Sequence, residues 1–300
     1  MKSKRKASIR SIQQKKENHC PVPSGILVVI GGKENKGEEH PDNKKRPGDF
    51  VRLEVLKAFK EQTHKRDPRI EVITSSSSEG AASFQDYQKA LAHIELNNIG
   101  HIHHEKRSEI IEDPMIERIK AADAFFLSGG DQLKLTSLYG GTDFLLALKE
   151  RYIHDNLVIA GTSAGAMALS TPMIYAGNEE VQELGGEIKV TTGLEFMKDV
   201  CIDTHFVHRG RFVRMAQVVV TNPTCIGIGI EEDTAIIVKN GTEVEVTGTG
   251  LVIVVEGHRI SFSNMEDFTK DKPVTIRDLN VHLLSSGDKY EIRQRNPQHK

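Results

Sequence analysis

Cysteine is scarce: three residues in 300, Cys20, Cys201 and Cys225. They are too few and too scattered for a disulfide framework or a zinc ligand set, which points to a reducing compartment. Cys201 and Cys225 sit in apolar surroundings, as buried, inert thiols do. No stretch approaches the ~20 consecutive apolar residues of a membrane-spanning helix, so the chain reads as soluble, with no membrane partner. Charge of one sign is missing too. Forty Lys and Arg against 42 Asp and Glu leave a formal net charge of −2, which offers no general attraction to nucleic acid. The first ~20 residues lack the apolar segment of a secretory signal, which argues against export by that route and for a cytoplasmic protein. No internal repeat and no long linker divides the chain.

What is present is enough apolar residue, 38% of the chain, to bury a full core. Residues 1–23 form a basic arm with Lys2, Lys4, Arg5, Lys6, Arg10, Lys15 and Lys16, suited to solvent or to an anionic partner. Residues 24–300 read as a single α/β domain. Its polar end, 285–300, is a surface tail or a short terminal strand.

Within the domain, continuous apolar runs predict buried strands over 26–30, 70–74, 99–103, 124–127 and 157–160. Helical faces alternate with them: one on Val51, Val55, Leu56 and Phe59, then helices over 81–96, 116–122 and 144–153. Sustained alternation implies right-handed crossovers and a parallel sheet covered by helices, with ligands beyond the carboxyl ends of the strands. After residue 200 the character changes. A strand over 200–206, a helical segment over 210–220 and a strand over 226–230 precede β-runs over 234–238, 243–246 and 251–255, with a hairpin at Asn240-Gly241. These read as an antiparallel extension of the same sheet.

Three loops converge on the predicted ligand rim: Gly31-Gly32, Gly129-Gly130, and the turn Gly161-Thr162-Ser163-Ala164-Gly165. The last has a serine at the apex of a strand-to-helix turn, the form of a nucleophile elbow, where the hydroxyl stands clear for a base and for oxyanion donors. A capping serine in an ordinary turn has the same local sequence. Among 13 histidines, His205 is the best placed base. It ends Cys201-Ile202-Asp203-Thr204-His205-Phe206 and precedes Arg209, Arg211 and Arg214; a structural histidine at a strand end is the alternative. An acid to orient it is available in Glu231-Glu232-Asp233. Strand alternation sends Glu231 and Glu232 to opposite faces, so at most one of them addresses the imidazole. The order Ser, His, acid differs from that of the α/β-hydrolases.

Together these segments resemble the cyanophycinases, within the serine peptidase group that includes the dipeptidase peptidase E. The resemblance runs from Leu27-Val28-Val29-Ile30-Gly31-Gly32 through Phe126-Leu127-Ser128-Gly129-Gly130-Asp131-Gln132 and Gly161 to Ala166. It continues through Asp203-Thr204-His205-Phe206 and the arginines to residues 227–235. It implies a three-layer α/β/α fold like that of the class I glutamine amidotransferases, and a triad of Ser163, His205 and Glu232. The oxyanion donors would be the backbone N–H groups of Ala164 and Gly130. No metal or organic cofactor is needed. Family substrate-pocket positions fall on Gln132, Asp203, Thr204, Arg209, Arg211 and Arg214; the arginines would clamp carboxylates and Asp203 would meet a guanidinium. The substrate implied is cyanophycin, a poly-aspartate with arginine on each β-carboxyl, cut to β-Asp-Arg by a homodimer. Thr204 departs from the family, which commonly carries glutamine there. The alternatives are a peptidase E-like dipeptidase cleaving after an N-terminal Asp, a non-catalytic binding protein of the same fold, and an α/β-hydrolase esterase.

Overall fold

Alternation within the buried strands decides how the layers stack. The computed structural model describes residues 21–37, 53–176, 188–264 and 274–293. Most of the basic arm, Cys20, Val51 and residues 294–300 lie outside them. In chain order the strands are β1 Ile26–Ile30, β2 Ile70–Ile73, β3 Ile99–Ile102, β4 Ala124–Leu127, β5 Val158–Thr162, β6 Ser170–Thr171, β7 Met173–Ala176, β8 Lys189–Thr191 and β9 Met197–Lys198. They continue with β10 Val200–Thr204, β11 Ile226–Ile230, β12 Thr234–Lys239, β13 Glu243–Gly248, β14 Val252–Glu256, β15 Phe262–Ser263, β16 Ile276–Arg277, β17 Asn280–Leu284 and β18 Lys289–Glu291. The helices are α1 Glu54–Gln62, α2 Gly80–Ala92, α3 Arg107–Glu112, α4 Ile116–Ala121, α5 Gln132–Tyr139, α6 Asp143–His154, α7 Ala164–Ala168 and α8 Phe212–Thr221.

An eight-stranded sheet has the order β18-β13-β12-β1-β5-β4-β2-β3. Its strands from β1 to β3 are mutually parallel, and β12, β13 and β18 run antiparallel. Successive side chains of a strand point to opposite faces, and here each face has its own core. Val28 and Ile30 of β1, Phe126 of β4 and Ala160 of β5 pack with Val55, Leu56 and Phe59 of α1 and Tyr87 and Leu91 of α2. Leu27, Val29, Phe125 and Ile159 point the other way, into a larger core with Phe144 and Leu148 of α6 and Met215 and Val219 of α8. The architecture is mixed α/β, with helices and strands layered over a largely parallel sheet.

The strands after residue 200 divide in a way that differs from the expected single extension. β12 and β13 do extend the main sheet, and the polar C-terminal end supplies a short strand, β18, paired with β13. β10, β11 and β14 instead belong to a separate six-stranded sheet, β17-β14-β11-β10-β6-β9, in which β10 and β11 are parallel. Ile202, Ile228 and Val254 of that sheet enter the larger core beside Leu27 and Ile159 of the first. An apolar run records that a strand is covered, not which sheet it joins.

Helices α3 and α5 were not foreseen. For α5 a local signal existed: the Asp131 carboxylate accepts from the N–H of Leu133 at 2.8 Å and of Lys134 at 3.3 Å, a helix N-cap. Among the described residues no helix is long and apolar enough to cross a membrane. Cys201 and Cys225 are free and buried. Burial pushes the Cys201 thiol well up and Cys225 to about 12, so both stay protonated and unreactive at neutral pH.

Candidate active site

The chain turns sharply where β5 meets α7. Ser163 takes φ 50° and ψ −115°, and the helix begins at the next residue. The turn is tight: a Cβ on Gly165 would lie 2.3 Å from the Leu127 carbonyl oxygen, so nothing larger than glycine fits without moving the backbone. A serine at an N-cap ordinarily turns its hydroxyl to the helix's own N–H groups. Ser163 caps nothing with its side chain; its Oγ lies 3.0 Å from His205 Nε2.

His205 follows the last residue of β10 and is also left-handed, φ 48°. Its N–H donates to the Gly31 carbonyl at 2.9 Å, which ties this end of the second sheet to the end of β1 in the first. The ring rests on Gly32, where a Cβ would meet ring atoms at 2.5 Å. His205 Nδ1 is 2.7 Å from Glu232 Oε1. That contact selects the tautomer protonated on Nδ1, leaving the Nε2 lone pair for the Ser163 hydroxyl.

Glu232 stands on the corner by which the chain leaves β11 in one sheet for β12 in the other. Asp233, at φ 50°, holds that corner by donating its N–H to the Gly32 carbonyl at 2.9 Å. The neighbouring acid turns elsewhere: Glu231 Oε2 accepts from the N–H groups of Val207 at 2.5 Å and His208 at 3.0 Å. One ligand atom each from His208, Glu231 and Glu232 come within 4.8 Å of one another. Both carboxylates already serve the donors just named, so a cation there would have to displace them.

Burial lowers the His205 imidazole below its ordinary value of 6.5, although the bond to Glu232 works in the opposite direction. Burial pushes the Glu232 carboxyl up, but the bonds from His205 and Lys33 outweigh it and hold the group below the usual carboxylate value. Lys33 Nζ lies 3.0 Å from the same Oε1. A base must be neutral to take a proton, so kcat/KM should rise with pH through an inflection below 6.5 and be level above it. A pH–rate profile on a soluble substrate checks this, and an acid limb centred above 6.5 would contradict it.

Lys33 and Glu34 were not foreseen. Glu34 is 4% exposed and accepts from the Tyr87 hydroxyl at 2.7 Å and from Thr162 Oγ1 at 2.6 Å. Residues 32, 33 and 34 therefore touch the imidazole, Glu232 and the elbow in turn. The separation of 128 positions from Glu34 to Thr162 hides that contact from a linear reading. The only hint is an acid two residues after the glycine pair at a strand's ligand end. Glu34→Ala would leave two buried hydroxyls without their acceptor, a loss of about 1–3 kcal/mol. Because the loop also holds Gly32 against the ring, kcat should fall more than KM rises; thermal melting and steady-state kinetics read the two effects.

The other candidate residues cluster around this seam. Gly129 lies against the elbow, its Cβ position 3.4 Å from Ser163 Cβ, and Gly130 beside it has φ 142°. Ala164 is the first residue of α7, where an N–H has no acceptor within its own helix. Gln132 donates through Nε2 to the Ile174 carbonyl at 3.0 Å. Thr204 is buried, and its Oγ1 has no hydrogen-bond partner among the described residues. Asp203 differs from the expectation of an acid open to a substrate guanidinium. It is fully buried, and the protein's own arginines take it: Arg211 Nη1 at 3.1 Å, Arg214 Nε at 2.6 Å, and Arg214 Nη2 as well. Burial pulls Arg211 down to about 10 despite the pairing. Arg209 alone of the three arginines is exposed.

The profile of peptidase family S51 matches residues 48–246, well over half of the chain. The chain belongs to peptidase family S51. It is accordingly a serine-type peptidase, and the hydroxyl–imidazole–carboxylate array just described lies at the point where this S51 chain carries its elbow. Among curated relatives it is 29% identical over 276 residues to a cyanophycinase of Synechococcus elongatus, spanning 92% of this chain and 82% of that one. It is 28% identical over 269 residues to a cyanophycinase of Trichormus variabilis, spanning 90% and 86%. A crystal structure of a peptidase from an acI-B1 Actinobacterium superposes with a TM-score of 0.60 at 21% identity, covering 91% of this chain and 98% of the other. That likeness establishes a shared fold.

Proposed function

We propose that this S51 peptidase is a cyanophycinase, releasing β-Asp-Arg from an Asp/Arg polymer through an acyl-enzyme. The observation that carries the reading is the contact series Ser163 Oγ to His205 Nε2 at 3.0 Å and His205 Nδ1 to Glu232 Oε1 at 2.7 Å, in a chain that aligns with cyanophycinases over about nine-tenths of its length. His205 takes the Ser163 proton as Oγ attacks the scissile carbonyl, and Glu232 stabilises the imidazolium that forms. The N–H groups of Ala164 and Gly130 receive the oxyanion, a contribution of about 3 kcal/mol per donor. His205 then returns the proton to the leaving amine, and a water activated by the same imidazole resolves the ester.

Each branch of the polymer ends in a guanidinium and a carboxylate. With Asp203 occupied internally, the guanidinium needs another acceptor, and Gln132 Oε1 is available because only its Nε2 is engaged. Arg209, exposed beside His205, suits the carboxylate, while Arg211 and Arg214 keep their geometry through Asp203.

The test is incubation of the purified protein with insoluble cyanophycin and mass analysis of the supernatant, beside an Asp-X dipeptide. Release of β-Asp-Arg is the expected result. Dipeptide cleavage without polymer release would replace this reading with a peptidase E-like one, and inactivity on both would favour a binding protein.

A further inference from the structure

A cavity of about 540 Å³ opens at the other end of the second sheet from Ser163. Ile226, the first residue of β11, lines it, whereas Glu232 lies two residues past that strand's far end. At about 3.3 Å per residue the two positions are roughly 20 Å apart. Three cations from two stretches meet on its wall: Arg259 after β14, and Lys289 in β18 with Arg293 just after it. All three are exposed, and none of their side chains pairs with an acid among the described residues. Two carboxylates also line the space. Glu256, at the base, is fully engaged: it accepts from Asn280 Nδ2 at 2.5 Å and from the Tyr290 hydroxyl, with His258 Nδ1 at 3.4 Å and His282 Nε2 at 3.5 Å. Glu291 is exposed and makes no ion pair among the described residues. Among the described residues the wall therefore offers three cations and one carboxylate without an ion-pair partner, around a volume that suits a small ligand. Like charges gathered around a concavity repel, and a carboxylate ligand relieves that repulsion.

We propose that this cavity is a second binding site for a branch bearing a carboxylate beside a guanidinium, with Arg259, Lys289 and Arg293 on the carboxylate and Glu291 on the guanidinium. The inference rests on the polymer reading of the active site. A chain end lying against Ser163 leaves a later branch for the cavity, and at up to about 3.6 Å per extended residue at least six backbone residues must intervene. The cavity thus acts only on long polymer, by raising the effective concentration of chain ends at the active site.

The experiment compares the wild type with the Arg259→Ala, Lys289→Ala, Arg293→Ala protein on insoluble polymer and on a soluble oligomer of about three units. At limiting substrate the polymer rate should fall about tenfold, with the oligomer rate unchanged. An unchanged polymer rate overturns the inference, and so does an equal loss on both substrates. If the wild type releases nothing from either, the reading of the active site has failed. Co-sedimentation of Ser163→Ala with polymer, with and without the three substitutions, then decides the cavity separately: reduced pelleting supports it, equal pelleting overturns it.

Discussion

Replacement of Ser163 by alanine should abolish turnover and leave the fold intact. Among the described residues the hydroxyl makes one hydrogen bond, to His205, and caps no helix, so its removal deletes the proposed nucleophile without stranding a backbone group. Loss of a serine nucleophile in such an array costs on the order of 10⁴–10⁶ in kcat, about 5–8 kcal/mol of transition-state stabilisation. What survives comes from the oxyanion donors and substrate binding. Dipeptide release and labelling by a serine-reactive phosphonate should vanish together, with the melting curve essentially unmoved. Retained labelling on another serine, with activity intact, would remove Ser163 from the mechanism.

The second large effect concerns stability. Asp203 is fully buried, and the side chains of Arg211 and Arg214 are each only 14% exposed. Asp203 also accepts from the N–H of Thr204 at 2.9 Å, while Arg211 Nη1 reaches the Thr204 carbonyl at 2.8 Å. Asp203→Ala would leave two mostly buried guanidiniums without their counter-charge, a destabilisation of about 3–5 kcal/mol. For a chain of this size that is roughly a 10 °C fall in Tm. Removing the cations as well, with Asp203→Leu, Arg211→Met and Arg214→Met together, should recover most of the stability because no unpaired charge remains. An Asp203→Ala protein that melts like the wild type would mean that water reaches the arginines. Since His205 follows two residues on, activity should fall with Asp203→Ala even below the melting range.

The elbow serine was legible because everything that shapes it is local. A buried strand, two glycines and a serine within a few residues dictate a turn with one side chain at its apex, and a linear reading sees all of them. His205 and Glu232 were legible only as strand-end residues with suitable chemistry. Their choice over other histidines, and over Glu231, followed from the resemblance and from the alternation of side chains along a strand. Lys33 and Glu34 belong to a loop whose partners lie far along the chain, and a polar loop has no periodicity to report what it touches. Asp203 misled for a related reason: an acid and three arginines in one segment fit a substrate clamp as well as an internal ion pair, and burial decides between the two.

By itself the sequence determined the long buried strands and most of the longer helices, that the first half builds a parallel sheet, and which serine stands on an elbow, since these follow from apolar periodicity and backbone sterics over a few residues. The tertiary structure decided that the later strands divide between two sheets, and that the ends of β1, β5, β10 and β11 meet at one seam. Those outcomes depend on which buried faces find each other across long separations in the chain. Loop closure and shared core packing govern that choice, and neither is written in any short run of residues.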